Sequence, residues 1–289
     1  ELTVVVPTRD RAGVLERCLD SIAAQRVEGL QVVVADDGSG DRTSELLAAR
    51  GDVEALELPP GGRSAARNAA LRQARGRLVL FLDDDVLATD GLLARHLDHH
   101  ARHPAEHEAL VGPVTWAPEL RITPHMQWLE RGGPLFAFDT IDDPEHVDWH
   151  HFCTANVSVK RAFLDPDPFD EALERSVDVE LGYRLARRGM RLRYDPAALV
   201  HHLRTDTPAT TERRMLVVGR SARRMHRKHP EIAEPPPAFR RLTPLKAALA
   251  RGLAPIARGA GFAGLDERVW EYRGARAYAR GYAERGPQA

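Results

Sequence analysis

The amino-acid sequence predicts an α/β fold with a mostly parallel central sheet flanked by helices, followed by a helical C-terminal extension. Apolar, β-branched runs alternate with helical patterns through the first half of the chain. These runs are apolar on both faces, which is typical of parallel strands covered by helices. The charge is divided, since residues 209–289 hold 17 basic and 7 acidic residues whereas residues 1–208 hold 24 and 35. We therefore expect the extension to do different work from the rest.

Composition excludes several classes of protein. The 289 residues are 43% apolar and 29% charged, which is ordinary for a folded enzyme and excludes wholesale disorder. Cys18 and Cys153 are too few for a disulfide framework or a cysteine zinc site, and they suggest a reducing compartment. No apolar run approaches about 18 residues, and the sequence begins directly on a strand-like segment. We therefore expect no spanning helix, no signal peptide and a cytoplasmic location.

The first half reads as alternating strands and helices. Predicted strands cover residues 4–6, 30–35, 53–58 and 78–82, and predicted helices cover residues 14–22, a segment opening at Asp41, and residues 64–74. Connections of this kind imply right-handed crossovers, and ligands of such sheets bind at the carboxyl ends of the strands.

The second half is less regular. It reads as a helix near 91–102, a loop-rich stretch to 150, a strand over 154–159, a helix over 177–188, a strand over 192–202 interrupted by Asp195-Pro196, an Arg-rich helix over 213–228 and two further helical stretches. Five histidines, at 96, 99, 100, 103 and 107, lack ligand partners in a closed spacing. We interpret them as a solvent-facing helix face rather than a zinc site.

Acidic clusters follow two of the predicted strands. Asp36 and Asp37 come after one strand, and Asp83, Asp84 and Asp85 come directly after another. Adjacent carboxylates repel one another, so a cation is expected to compensate them. Carboxylate oxygens suit Mg²⁺ or Mn²⁺, which then accept further oxygen ligands such as a diphosphate. The alternative is a solvated acidic turn, but the position after a buried strand favours the metal site.

The segments around these clusters resemble, in order and spacing, the inverting glycosyltransferases of family 2. The matching segments are residues 7–11 (Pro-Thr-Arg-Asp-Arg), 18–21, 36–43 (Asp-Asp-Gly-Ser-Gly-Asp-Arg-Thr), 64–68 and 81–85 (Phe-Leu-Asp-Asp-Asp). The resemblance covers roughly residues 2–205 and implies the Rossmann-like GT-A fold. It implies a catalytic domain over 1–206, with a nucleotide-sugar-binding half (1–110) and an acceptor-binding half (111–206), before a basic helical extension (207–289).

The resemblance also implies roles for individual residues. The nucleotide-binding set is Pro7, Thr8, Arg9, Asp36, Asp37, Arg63, Arg67, Asn68, Asp83 and Asp84, with Asp36 or Asp37 on the base. The family's Asp-x-Asp signature falls on Asp83 and Asp85, which would hold Mn²⁺ or Mg²⁺ with His202. Arg9 and Asp10 depart from the Tyr and Asn usual in the family, so the base is not fixed by the resemblance and UDP is the default.

The catalytic base is predicted from residues 176–185, which resemble the family's acceptor-side signature. Val177 stands where the family usually has Glu, which leaves Asp178 as the predicted general base. Trp116, Asn156 and Glu180 are candidates for the acceptor side. Glu180 lies two positions from Asp178 on a different face of the helix, which favours a structural role for it.

These observations predict a metal-dependent inverting glycosyltransferase. It would move a sugar from a nucleoside diphosphate donor, UDP favoured, to the hydroxyl of a sugar, lipid-linked or small-molecule acceptor, in polysaccharide, glycolipid or natural-product glycosylation. One alternative is a catalytically inactive module that binds sugar nucleotide or a partner, which Val177 favours. The other is a sugar-nucleotide pyrophosphorylase, which usually has a Gly-rich basic loop after its first strand, unlike residues 7–11.

The basic extension has three interpretations. Nucleic-acid binding is disfavoured because no reading motif or aromatic platform accompanies the arginines. A solvated helix packed on the catalytic domain is the second interpretation. The third is peripheral contact with the inner face of the cell membrane, favoured by an amphipathic pattern over residues 242–265.

Overall fold

A computed structural model describes residues 2–131, 135–232 and 263–284. The chain divides into two compact units. The first comprises Glu1–Leu120, Ile141–Ala172 and Val177–Arg204, and the second comprises Arg121–Thr140, Leu173–Ser176 and Thr205–Ala289. The second unit thus takes two short segments, 121–140 and 173–176, that the predicted division at residue 206 places in the catalytic domain.

The first unit is built on a mostly parallel sheet, as predicted. Its seven strands, in spatial order, are β3 (Glu54–Glu57), β2 (Gln31–Asp36), β1 (Leu2–Thr8), β4 (Leu78–Leu82), β8 (Asn156–Lys160), β6 (Glu108–Val111) and β9 (Arg191–Tyr194). Only β8, among these strands, runs antiparallel to its neighbours. Strands β1, β2 and β4 are buried along their whole length, because helices cover both faces.

A second, three-stranded sheet lies in the same unit, in the order β5 (Val86–Ala88), β10 (Val200–His202), β7 (Val114–Trp116). The strand predicted over 192–202, with its interruption at Asp195-Pro196, is two strands in two sheets. The turn between them forms at Asp195-Pro196, where the Asp195 carboxylate accepts a hydrogen bond from the Ala197 N–H (2.9 Å). Strand β10 pairs antiparallel with β5, which follows the acidic cluster, and this brings His202 opposite Val86.

Helices of the first unit are α1 (Ala12–Ala23), α2 (Thr43–Ala48), α3 (Arg63–Gln73), α4 (Leu92–Arg102) and α6 (Val177–Arg187). Those described in the second unit are α5 (Pro124–Glu130), α7 (Pro208–Lys228) and α8 (Ala263–Ala283). Helix α7 begins before the predicted residue 213. The Thr207 hydroxyl accepts from the Thr210 N–H (3.2 Å), and the Thr210 hydroxyl accepts from the Thr207 N–H (2.8 Å). This reciprocal cap starts the helix at Pro208.

The histidines of α4 are not the solvent-facing group that we predict from their spacing. His96, His99 and His100 are buried. Lys160 can only donate, so the His100 Nδ1 accepts from its ammonium (3.1 Å) and the His100 Nε2–H donates to the Ser158 hydroxyl (2.9 Å). Ser158 then donates to the His96 Nδ1 (2.7 Å). The alternating polar positions of β8 supply these partners, which the helix sequence alone does not reveal.

This chain of hydrogen bonds ends on Asn156, the first residue of β8. The His96 Nε2–H donates to the Asn156 Oδ1 (3.1 Å). The Asn156 amide then donates to the carbonyls of Ala198 (2.7 Å) and Pro113 (3.3 Å). Because these carbonyls lie just before β10 and β7, the network ties the small sheet to the central sheet.

Candidate active site

The carboxyl ends of three parallel strands bring the predicted site together. Thr8 at the end of β1 is in register with Asp36 at the end of β2, and Asp83, Asp84 and Asp85 follow β4. The Thr8 hydroxyl donates to the Asp84 Oδ2 (2.8 Å). The sheet topology thus places the two acidic clusters at one edge, where α/β sheets bind ligands.

Two arginines compensate the second acidic cluster. The Arg67 Nη2 lies 2.7 Å from the Asp83 Oδ1. The Arg11 Nη1 lies 2.9 Å from the Asp84 Oδ1 and also contacts the Asp85 Oδ2. These paired charges explain how three consecutive carboxylates persist at the end of a buried strand.

Burial and charge act oppositely on these carboxyl groups. Burial raises the pKa of Asp84 to about 6, helped by the neighbouring Asp85 and opposed by Arg11. Burial also acts to raise the pKa of Asp83, but the guanidinium groups of Arg67 and Arg63 outweigh it and the pKa is lowered. Asp83 is therefore the carboxylate that its arginine neighbours hold ionised, whereas Asp84 takes up a proton as the pH falls toward 6 unless a further cation lowers its pKa.

The cluster fits a divalent cation. Among the described residues, no group of three or more His, Cys, Asp or Glu side chains already converges on one metal position. Yet Asp84 and Asp85 converge on a single cationic atom, the Arg11 Nη1, and the His202 Nε2 lies 3.4 Å from the second oxygen of Asp85. Carboxylate oxygens beside an imidazole nitrogen are a donor set that suits Mn²⁺.

The two carboxylates of the first acidic cluster, Asp36 and Asp37, differ in how strongly neighbouring groups engage their oxygens. Asp36 accepts from the N–H and hydroxyl of Ser39 (2.9 and 2.5 Å) and from the Ser44 hydroxyl (3.3 Å), so both its oxygens stabilise the following turn. In Asp37, Oδ1 accepts from the N–H groups of Gly61 and Gly62 (2.6 and 2.8 Å). Its Oδ2 faces the Arg9 Nη1 at 3.5 Å. The second oxygen of Asp37 thus has only this long hydrogen bond, from the partly exposed Arg9, that a ligand could replace.

Helix α3 supplies one residue to the site and one to its support. Arg67 is buried, bonded to Asp83 and stacked over the Phe169 ring (5.7 Å to its centroid). The Asn68 amide instead donates to the Phe169 carbonyl and accepts from the Phe169 N–H (both 3.0 Å). Asn68 therefore holds the segment that supports Arg67. Arg63, the first residue of α3, is exposed and close enough to lower the pKa of Asp83.

Helix α6 begins with the predicted base. Burial raises the pKa of Asp178, and the charge of Arg67 partly offsets this effect. The Asp178 Oδ1 accepts from the Val179 N–H (2.9 Å). Val177 is buried in the core, and Glu180 is fully buried and accepts from the Arg184 Nε (2.9 Å). Asp178 lies within electrostatic range of Arg67 and Asp83.

Two acceptor-side candidates take structural positions. Trp116 is buried, with its ring centroid 5.8 Å from that of His202 in an edge-on arrangement. Asn156 is fully buried and bonds the Ala198 carbonyl described above. Pro7 is also buried, within β1 and in register with Ala35. All three are buried, and their roles toward an acceptor or a nucleotide stay predictions.

Sequence reasoning missed two residues of the site. Arg11 appears in the matched segment 7–11 without a role, yet it bridges Asp84 and Asp85. Cys153 lies near Asp178 and Asp83, whose charges, after burial, raise the pKa of its thiol. The basic residue that starts α1 just after β1 was a signal for Arg11; the sequence holds no comparable signal for Cys153.

Comparison with protein families gives a match to the profile described as glycosyl transferase family 2, over residues 3–164. Among curated proteins, a pre-mycofactocin glycosyltransferase of Mycobacterium tuberculosis is 31% identical over 81% of this chain and 49% of its own length. A validoxylamine A glucosyltransferase of Streptomyces hygroscopicus subsp. jinggangensis is 34% identical over 65% of this chain and 52% of its own length. The chain spans about half the length of these relatives.

Solved structures share the fold at low sequence identity. The mannosyltransferase PcManGT from Pyrobaculum calidifontis, in complex with GDP-Man and Mn²⁺, has a TM-score of 0.64 and 20% identity, covering 97% of this chain and 86% of its own. The S. aureus TarS 1–349 complex with UDP has a TM-score of 0.56 and 18% identity, covering 97% and 92%. These neighbours agree with a GT-A architecture for the present chain.

Proposed function

The chain belongs to glycosyltransferase family 2, and on that premise we propose that it is a metal-dependent, inverting transferase that uses a UDP-sugar. The observations that carry the proposal are the Asp84 and Asp85 oxygens that share the Arg11 Nη1 at the strand edge, and the His202 Nε2 beside the other oxygen of Asp85. Mn²⁺ or Mg²⁺ held there by Asp85, with Asp83 and His202 beside it, would neutralise charge on the departing diphosphate.

The available groups of the first cluster favour uracil as the base. Asp37 has one oxygen left to accept a hydrogen bond, and the Arg9 guanidinium lies beside it as a donor. Uracil presents one N–H flanked by carbonyl oxygens, so it would satisfy both groups. Guanine presents two adjacent N–H groups on the same edge, and the second would find no acceptor on Asp37.

Asp178 is proposed as the general base. It would take the proton of the acceptor hydroxyl while that oxygen bonds to the anomeric carbon and the bond from that carbon to the diphosphate breaks. Attack from the face opposite the leaving group inverts the configuration. The raised pKa of Asp178 makes its carboxylate a stronger base than an exposed aspartate. The acceptor, whether sugar, lipid-linked or small molecule, is left open by this chemistry.

The position of Val177 argues for an enzyme rather than an inactive module. Its side chain is buried in the core, where a charged glutamate would need a compensating partner. The substitution leaves Asp178 in place at the start of α6. Asp178 supplies the single carboxylate that an inverting displacement needs.

A peripheral membrane contact is proposed for α7. Several of its arginines are engaged inside the second unit, since Arg214 bonds Asp206 (2.7 Å) and Arg220 bonds Glu284 (2.6 Å). Arg213, Arg224 and Arg227 are exposed, and their spacing puts them on one face of the helix. The amphipathic stretch 242–265 lies almost wholly outside the described residues. No described helix is long and apolar enough to cross a membrane.

Sedimentation tests this contact. The full chain should pellet with vesicles containing anionic lipid and remain in solution with neutral ones, because each basic residue near an anionic surface adds about 1 kcal/mol. A variant with Arg213, Arg224 and Arg227 changed to Gln should pellet less. Equal recovery in solution with both vesicle types would contradict the proposal.

Donor hydrolysis tests the enzymatic proposal without knowledge of the acceptor. The wild-type protein should release UDP slowly from UDP-glucose or UDP-N-acetylglucosamine when Mn²⁺ is present, and EDTA should stop the release. Asp85→Asn should abolish it, whereas Asp142→Asn, a change in an exposed turn, should not. Release that is insensitive to both EDTA and Asp85→Asn would rule out the proposed site.

A further inference from the structure

We propose that Arg11 is an exchangeable counter-ion of the acidic cluster, which a divalent cation displaces toward the diphosphate of the bound donor. The inference rests on the proposed function and adds a residue to it. Arg11 would hold the cluster in the metal-free protein and would then become part of the donor-binding site.

The contacts of Arg11 are those of a cation at a shared position. One guanidinium atom, Nη1, lies 2.9 Å from the Asp84 Oδ1 and also contacts the Asp85 Oδ2. Asp85 is the predicted metal ligand, and its other oxygen faces the His202 Nε2 at 3.4 Å. A divalent ion bound by Asp85 would lie within a few ångströms of this guanidinium nitrogen. The two cations repel each other at that distance, so they cannot both be held there favourably.

The two arginines of the cluster differ in how deeply they are buried. Arg67 is 2% exposed and fixed by Asp83 and the Phe169 ring, so it cannot leave without exposing a buried pair. The Arg11 side chain is 37% exposed. It can therefore exchange its carboxylate partners for solvent or for an anionic ligand at little cost in burial.

The backbone before Arg11 is fixed even though its side chain is not. Asp10 adopts a φ of 54°, a left-handed conformation that is unfavourable for most residues other than glycine. The Asp10 N–H donates to the Ser39 hydroxyl (2.9 Å), and its carboxylate accepts from the Gly40 N–H (2.7 Å). These bonds hold the start of α1 at the strand edge, so a displaced Arg11 guanidinium remains beside the place where the diphosphate would bind.

Metal and nucleotide titrations of three proteins test the inference. Free Mn²⁺ is followed by electron paramagnetic resonance in nucleotide-free wild type, Arg11→Gln and Arg17→Gln. Arg17 is the matched control, because it lies in α1, the helix that begins just after Arg11, and pairs with the exposed Glu119 (2.5 Å) away from the cluster. Arg11→Gln should bind Mn²⁺ about tenfold more tightly than wild type, and Arg17→Gln should match wild type.

Affinity for UDP should change in the opposite direction. With Mn²⁺ saturating, Arg11→Gln should bind UDP about tenfold more weakly, because the displaced guanidinium no longer contacts the diphosphate. Its thermal midpoint in EDTA should fall below that of wild type and recover when Mn²⁺ is added, which distinguishes a lost counter-ion from misfolding.

The outcomes separate this inference from the function on which it rests. Equal Mn²⁺ affinity in wild type and Arg11→Gln, with UDP binding intact, would overturn the role of Arg11 and leave the metal-dependent transferase standing. Weaker Mn²⁺ binding by Arg11→Gln would also overturn it. Absence of Mn²⁺ binding by all three proteins, with or without UDP, would overturn the metal-dependent function and the inference together.

Discussion

At the scale of single residues, a carboxylate can act on a ligand only if the fold does not already engage its oxygens. Asp36 and Glu180 are saturated by partners in their own turn or helix. Asp37 and Asp178 each keep capacity for a ligand, and Asp178 does so beside Arg67. The chemistry is therefore assigned to residues whose local bonds leave an oxygen available.

Replacement of Asp178 tests the assignment of the base. Asp178→Asn should lower kcat by about a thousandfold, because the amide cannot accept the proton, while UDP affinity should stay within a factor of two or three of wild type. Glu180→Gln is the contrasting variant, and its effect should appear as lost stability because the buried Arg184 bond weakens.

The pH dependence gives a second test of Asp178. A general base must be ionised, so kcat falls as the pH drops through its pKa, and the raised pKa moves this fall above the ordinary aspartate value of 3.8. Measurement at saturating donor and Mn²⁺ keeps the titration of Asp84 out of the profile. A profile that stays flat down to pH 4, or unchanged turnover in Asp178→Asn, would contradict the assignment.

Whether the role of a residue can be predicted from the sequence depends on whether its contact partners lie nearby in the sequence. The positions of Thr8 and Asp85 at strand ends follow from the alternation of strands and helices. The choice between Asp36 and Asp37, and the burial of Asn156, depend on contacts with residues distant in the sequence. A single sequence without its fold holds no signal for those contacts.

At the scale of elements, close packing of α7 on α8 is a feature of the second unit. A Cβ on Gly281 would overlap the Leu216 carbonyl, whereas a Cβ on Gly274 of the same helix would lie 3.7 Å from the Met215 side chain. Gly281→Ala should therefore destabilise the unit by about 1–3 kcal/mol, while Gly274→Ala should be neutral or stabilising by about 0.5–1 kcal/mol.

Thermal unfolding of the full chain, monitored by calorimetry, checks this pair. Both variants gain the same helix propensity, so the difference between them isolates the helix–helix contact. Equal midpoints for the two variants would show that α7 and α8 do not approach each other closely in solution.

The buried network under α4 predicts a loss of stability in acid. Burial lowers the pKa of His96 to about 4 from an ordinary 6.5, so the unfolded chain takes up the proton first as the pH falls. Stability from His96 is then fully present above pH 6.5 and is lost as the pH falls toward 4, by about 3 kcal/mol. Urea unfolding at several pH values measures this loss.

A non-titrating variant is the control for that measurement. In His96→Gln the slope of unfolding free energy against pH between 6.5 and 4 should be smaller, although the variant is less stable at neutral pH. Identical slopes in the two proteins would remove His96 as the cause.

Elements local in the sequence are the ones predicted correctly. Helix α1 covers the predicted range 14–22 and buries Leu15, Cys18, Leu19 and Ile22. The interruption predicted within 192–202 is correct, but the two parts were not predicted to join different sheets, because that choice is made by pairing with β6 and β5, which lie far away in the sequence. The buried face of α4 fails for the same reason, since β8 supplies its polar partners.

At the scale of the whole molecule, the charge division of the sequence parallels two kinds of structure. The acidic part holds the central sheet with its carboxylate cluster, and the basic part holds α7 and α8. Family membership and the α/β class follow from ordered motifs that survive in a single sequence. The domain boundary at residue 206 stays a prediction.

A thermal-shift panel of UDP, GDP, dTDP and CDP, each with Mn²⁺ or with EDTA, tests most directly whether the protein binds a UDP-sugar through a metal ion. UDP with Mn²⁺ should raise the midpoint more than Mn²⁺ alone, with a stabilisation near 2.7 kcal/mol at about 100-fold excess over Kd. GDP and CDP should shift it less, and Asp85→Asn should abolish the Mn²⁺-dependent part. A midpoint that no nucleotide raises in the presence of Mn²⁺, or that UDP raises equally in EDTA, would contradict a metal-dependent UDP-sugar transferase.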